Sequence, residues 1–278
     1  ELVAITDHET ISASIRAQKY YKKIKKDNPT FKLILGNEIY LCRNGLNKDN
    51  YVGGQDRFWH FILLARDKEG HKQIRELSSR AWLRSWNHGK MKRVPTYYND
   101  LIEIIDKNKG HVIGSTACLG GYVPHLILDN RMEEAKRWLL QMFRLFGRGN
   151  FFLELQPPAE QGNEQWAVNQ ALVSLSEELE IPYIITTDSH YLRKEDASIH
   201  KAYLNSQEEL ESYFDGSWIN IQIAYENIQN IFNSCEDYDL TKPLRIPELP
   251  WKSFSPKGKA EALYSAIPQL KTFYESDY

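Results

Sequence analysis

The chain has 278 residues, 35 Lys and Arg against 37 Asp and Glu, a formal net charge of −2 and 42% hydrophobic residues. That balance supplies an ordinary globular core and excludes a chain that binds polyanions through bulk positive charge; nucleic acid would have to be met by a local basic patch or through metal ions. Three scattered cysteines, Cys42, Cys118 and Cys235, form no disulfide framework and fit a reducing cytoplasm, and no apolar run reaches the roughly 18 residues of a membrane span.

Short β-branched and aromatic runs alternate with longer amphipathic stretches. Residues 3–6 predict a first strand, entered directly from Glu1 as in an internal fragment, and 9–26 a helix with a charged outer face. Strands are expected at 31–41 and 58–65, helices at 68–85 and 97–108, and a fourth strand at 111–115. A helix over 132–146 stops at Gly147, a residue suited to a C-cap, and is followed by a strand at 151–155, a helix at 165–179 ended by Pro182, and a strand at 183–187. Six βα units in succession argue for a parallel sheet, either a barrel or an open doubly wound sheet. Beyond residue 195 the rhythm changes: 208–213 and 221–235 read as helical, and Pro243, Pro247, Pro250 and Pro256 then break the chain.

Groups able to bind divalent transition metals fall at the strands. Asp7 and His8 follow the first, Glu38 lies late in the second, His60 in the third, Cys118 just beyond the fourth, Glu154 in the fifth, and Asp188 with His190 after the sixth. Strand ends of a βα barrel converge on one face, so these side chains would share a pocket, and imidazole, carboxylate and thiolate are what such metals take as ligands. Taken singly each has a plainer reading: His60, among Phe58, Trp59, Phe61 and Ile62, suits a hydrogen-bonded core histidine, Cys118 a small buried hydrophobe, Glu38 a solvated strand-end carboxylate, and Glu154 either a supporting group or a salt bridge. Among the other histidines, His71 lies within a helix and is expected to face solvent, and His88 sits in a basic loop. Arg80, Arg84, Lys90, Lys92 and Arg93, interleaved with Trp82 and Trp86, form a candidate DNA-facing patch, against which stands a solvated helix with two core tryptophans.

These residues also carry a family resemblance. Ala4-Ile5-Thr6-Asp7-His8, Gly36-Asn37-Glu38-Ile39-Tyr40, His60-Phe61-Ile62-Leu63-Leu64-Ala65, Ser115-Thr116-Ala117-Cys118-Leu119-Gly120-Gly121 and Thr186-Thr187-Asp188-Ser189-His190-Tyr191 resemble, in order, motifs of the polymerase-and-histidinol-phosphatase (PHP) domain of bacterial DNA polymerase III alpha subunits. The resemblance implies a distorted seven-stranded (β/α) barrel, similar to a TIM barrel, whose first strand and His-x-His motif would precede Glu1. It implies a barrel domain over 1–195 and a helical appendage over 196–278 leading toward a polymerase palm. The implied ligands of up to three zinc or manganese ions are His8, Glu38, His60, Cys118, Asp188 and His190, with His8, Asp188 and His190 in the catalytic roles and Asp7 orienting His8.

The implied function is that of a DNA-replication enzyme with metal-dependent 3′–5′ exonuclease or phosphoesterase chemistry on a DNA 3′ end, in the cytoplasm and in contact with the remaining polymerase domains. Two alternatives are a metal-free scaffold that docks a separate proofreading exonuclease subunit, and a stand-alone phosphatase of the same fold.

Overall fold

The computed structural model describes residues 2–158, 162–196, 206–215, 217, 219–241 and 256–267. Its first compact unit runs to Leu240. Strand β1 (Leu2–Ile5) and helix α1 (Ser14–Asp27) lead into the long β2 (Lys32–Cys42), β3 (Trp59–Ala65) and α2 (Lys68–Leu83). A hairpin of β4 (Trp86–His88) and β5 (Met91–Arg93) precedes the short β6 (Thr96–Tyr97), α3 (Tyr98–Lys107) and β7 (Val112–Ser115). Helices α4 (Tyr122–Leu128) and α5 (Met132–Phe146), β8 (Phe151–Leu155), α6 (Glu164–Leu179), β9 (Tyr183–Ile185), α7 (Gln207–Ser212) and α8 (Ile221–Ser234) complete the unit. The second unit, from Thr241, contains α9 (Pro256–Ala266).

Local chemistry accounts for several boundaries. The Asp67 carboxylate accepts the Gly70 N–H at the start of α2, Asn163 accepts the Trp166 N–H at the start of α6, and α5 ends at Gly147 with φ of 87°. Each cap satisfies a backbone group that the helix end leaves without an internal partner.

The main sheet has seven strands in the order β1-β2-β3-β7-β8-β9, with β6 alongside the end of β2. β1 with β2, β7 with β8, and β8 with β9 pair in parallel, whereas β3 runs antiparallel to both β2 and β7. The expected succession of parallel βα units is corrected at this strand. Residues 43–58 contain no helix, and a chain returning without a crossover helix pairs antiparallel with the strand it has just left. The sheet curls into part of a distorted TIM-like barrel, enough for the ring of His8, beyond β1, to lie 5.8 Å from that of His190, beyond β9.

Strand alternation divides the sheet into two faces. Ile39, Leu41, Phe61, Leu63, Leu153 and Leu155 join the main core, in which helices α2 to α6 cover the outer face. On the inner face Ile34, Leu64, Ile113, Phe152 and Ile184 meet Ile231 and Cys235 at the end of α8.

The sequence-based division at residue 195 therefore falls inside the first compact unit. The segment after α8 returns to α1: Gln18 donates to the Tyr238 carbonyl at 2.7 Å and accepts the Leu240 N–H at 2.8 Å. Lys32 donates to the carbonyls of Phe232 and Cys235, a cation where a helix C-terminus favours one. Pro243, Pro247 and Pro250 lie outside the described residues.

Phe61 is fully buried against Trp138, Phe146 and Phe151. Phe61→Ala is expected to cost about 3–5 kcal/mol of unfolding free energy, measured by urea denaturation.

Candidate metal centre

Gly36 allows β2 and β3 to approach closely, since a Cβ there would collide with the Leu63 carbonyl oxygen. The resulting register sets Glu38 opposite Ile62 and Tyr40 opposite His60. Glu38, Tyr40 and His60 thus share the inner face above the apolar layer. Beyond β1, His8 bridges to Glu38 through the backbone: the Glu38 N–H donates to the Asp7 carbonyl at 3.2 Å and the Glu9 N–H to the Glu38 carbonyl at 2.8 Å. The His60 N–H donates to the Gly120 carbonyl at 3.0 Å, which lays the loop carrying Cys118 across the imidazole.

His8, Glu38 and His60 each present a ligand atom, and all three atoms lie within 4.8 Å of one another. Glu38 Oε1 is 2.6 Å from His60 Nδ1 and 3.6 Å from His8 Nδ1, yet this buried oxygen makes no hydrogen bond of acceptable geometry. Cys118 Sγ lies 3.4 Å from His60 Nδ1. On the other side, His190 Nδ1 lies 2.8 Å from the Asp188 carbonyl oxygen. An N–H donated there puts the ring's lone pair on Nε2. Asp188 itself adopts a left-handed backbone, φ 47°, at the turn after β9.

Burial, then the neighbouring Glu38, pushes the Asp188 carboxyl up to about 6, and burial with Glu38 and Asp188 pushes the Cys118 thiol up to about 12. Burial also holds His8 below the usual imidazole range. Glu38 therefore raises the proton affinity of both neighbours for lack of a counter-charge. An orphaned carboxylate oxygen facing two imidazoles, within an anionic N/O/S donor set, fits a divalent cation.

Glu154, which the sequence left open, is buried and, among the described residues, satisfied without a salt bridge. It accepts from Ser115, from Thr186 at 2.6 Å and from Gln156 at 3.3 Å, tying β7, β8 and the end of β9 together below the donors. Asp7 is exposed and contributes its backbone carbonyl; among the described residues no hydrogen bond joins its side chain to His8.

Sequence reasoning assigned no role to Glu9 or Tyr40. The Tyr40 ring lies 5.5 Å from that of His8 and 5.0 Å from that of His60. Glu9 is 2% exposed, its backbone left-handed at φ 52°, and its carboxyl accepts from the Tyr40 N–H and from the Thr96 hydroxyl. Burial raises its pKa to about 8. No motif marks Glu9; the only signal was an acid beside His8 at a position that cannot face water once β2 and β6 pair.

Two further expectations are corrected. His71 does not face solvent: it is 4% exposed on the core side of α2, near Tyr238, and burial lowers its pKa to about 4. Within the proposed basic patch, Arg80 pairs with Glu76, Asp100 and Glu103, and Arg84 pairs with Asp100, so neither presents a free positive charge.

The PHP domain family model matches residues 1–158. The chain belongs to the PHP domain family. It is similar to a probable DNA polymerase, YorL, of Bacillus subtilis strain 168, at 35% identity over 99% of this chain and 24% of that protein. It is also similar to the DNA polymerase III alpha subunits of Borreliella burgdorferi, at 31% identity over 87% of this chain and 21% of that protein, and of Deinococcus radiodurans, at 30% over 74% and 14%. The chain spans about a quarter or less of the length of these relatives. In this PHP domain no helix of the described residues is long and apolar enough to cross a membrane.

The Glu9 carboxyl gives a signed pH test. Its folded pKa of about 8 exceeds the unfolded value of 4.5, so its stability contribution is complete below pH 4.5 and declines as pH rises toward 8, by up to about 1.4 kcal/mol per pH unit. Glu9→Gln is expected to flatten the fall in Tm between pH 5 and 8, followed by circular dichroism.

Proposed function

We propose that this chain is the PHP domain of a bacterial-type replicative DNA polymerase III alpha subunit, and that its rim holds zinc or manganese for hydrolysis of phosphoester bonds at a DNA 3′ end. The observation that carries the metal reading is the convergence of His8, Glu38 and His60 ligand atoms within 4.8 Å. Cys118 extends the donor set from the His60 side, His190 extends it from the His8 side, and the Asp188 carboxyl interacts electrostatically with Glu38 and Cys118 between them. When bound, divalent cations there would neutralise phosphate oxygens and acidify a water molecule. The protein's own part is to hold the imidazoles apart with Glu38, to fix the His190 ring through the Asp188 carbonyl, and to keep the lower barrel dry with α8. DNA and the other polymerase domains are the partners this reading implies.

One observation favours a second reading. The 2.6 Å approach of His60 Nδ1 to Glu38 Oε1 is also a direct side-chain contact with no ion between the two groups. A metal-free scaffold that stabilises the polymerase and docks a proofreading subunit would use the same residues in that way. A stand-alone phosphatase is the weaker alternative, because YorL, a probable DNA polymerase, aligns with nearly all of this chain and extends far beyond it.

Elemental analysis of the purified protein separates the two readings. Retained zinc or manganese, lost on Glu38→Gln or His60→Ala, is the expected result; a metal-free protein that loses stability in both variants supports the scaffold. Asp188→Ala and His190→Ala are expected to lower release of 3′ nucleotides by at least about 10–100-fold, read on a labelled oligonucleotide.

A further inference from the structure

The β4–β5 hairpin and Trp82 remain unexplained by the metal centre. The hairpin turns through Gly89, φ 59°, and Lys90, and it carries Lys90, Lys92 and Arg93 with no acid between Trp86 and Arg93. Nearby acids are already engaged: Asp100 with Arg80 and Arg84, and Asp56 with Arg43. Among the described residues Lys90, Lys92 and Arg93 have no carboxylate partner. Lys90 and Lys92 are exposed, whereas the Arg93 guanidinium lies over the rings of Tyr51 and Phe58 and donates to the Tyr51 hydroxyl.

Trp82 joins this surface to the metal centre. It is 43% exposed, a large apolar ring left in solvent at the end of α2. Its indole N–H donates to the Glu9 carbonyl at 2.6 Å, one residue from His8. The Lys92 ammonium stands over the same ring, 5.3 Å from its centre. The rim next to His8 thus continues into an exposed aromatic plane and then into two ammonium groups that have no carboxylate partner among the described residues.

We propose that Trp82, Lys90 and Lys92 grip single-stranded DNA as it approaches the His8–Glu38–His60 rim, with a base on the Trp82 indole and phosphates on the two lysines. A flat ring accepts any base by stacking, and neighbouring cations follow the backbone, which is the chemistry of sequence-tolerant single-strand binding. The exposed cation–π contact holds Lys92 beside the ring until a phosphate engages its ammonium. This proposal rests on the reading of the rim as a DNA 3′-end site and supplies the path by which the strand reaches it.

The test is fluorescence anisotropy of labelled dT16 with the full chain, in EDTA so that metal-mediated contacts do not contribute, over a range of KCl. Lys90→Gln/Lys92→Gln is expected to weaken binding at least tenfold and to flatten the slope of log Kd against log salt by about 1.4, two phosphates at about 0.7 each. Trp82→Ala is expected to weaken binding about tenfold, while Trp82→Phe, which keeps a ring but loses the N–H tether to Glu9, stays within about threefold. Unchanged affinity and slope in the double lysine variant, no loss in Trp82→Ala, or no dT16 binding in EDTA would each overturn the grip. If the unaltered chain binds through these residues but hydrolyses nothing with zinc or manganese restored, the hydrolytic reading fails and the grip stands. If it hydrolyses DNA while binding is indifferent to the hairpin, the grip fails and the hydrolytic reading stands.

Discussion

The two-residue alternation of a pleated strand governs this structure. Because β2, β3, β7, β8 and β9 all turn alternate side chains inward, each contributes to one lining, and successive levels of that lining differ in chemistry. The lower level is Ile34, Leu64, Ile113, Phe152 and Ile184, sealed by Ile231 of α8. The upper level is Glu38, His60, Ser115, Glu154 and Thr186. A shift of one residue in any strand would exchange these side chains with the outer core. Gly36 helps to prevent that shift, since only a residue without a Cβ accepts the approach of the Leu63 carbonyl.

Glu154 lies where the two levels meet. A buried carboxylate is costly unless its oxygens are used, and here hydroxyls from β7 and the end of β9 use them. The ligand-bearing loops beyond these strands consequently start from fixed positions. Glu9 does the same for β1: a left-handed residue there is strained, and its carboxyl contacts with Tyr40 and Thr96 hold the turn that aims His8.

Much of this was legible in the sequence. The apolar runs located every strand of the inner lining, and three of the donor residues read at the strands, His8, Glu38 and His60, lie together, because strand position and side-chain chemistry are both local properties. The direction of β3 was not local, as it depends on how residues 43–58 return, and reading each strand as the start of a βα unit gave the wrong sense. The hairpin was missed because His88-Gly89-Lys90 lies in a charged stretch without the alternation of a buried strand. His71 belongs to the core face because His71, Ile74, Ser78 and Ala81 recur at helical spacing on one buried side of α2, where period outweighs the polarity of the side chain. The pairing of Arg80 and Arg84 required α3, whose acids approach α2 only in the folded chain.

The reversal of β3 has an architectural consequence. In a uniformly parallel barrel every segment leaving the rim must descend the outside as a helix before the next strand begins. Here β2 ends and β3 begins at the same rim, so residues 43–58 never leave it. Their length is free of any requirement to span the height of the barrel, and the mouth can be rebuilt there, by insertion or deletion, without disturbing the helical layer that supports the sheet.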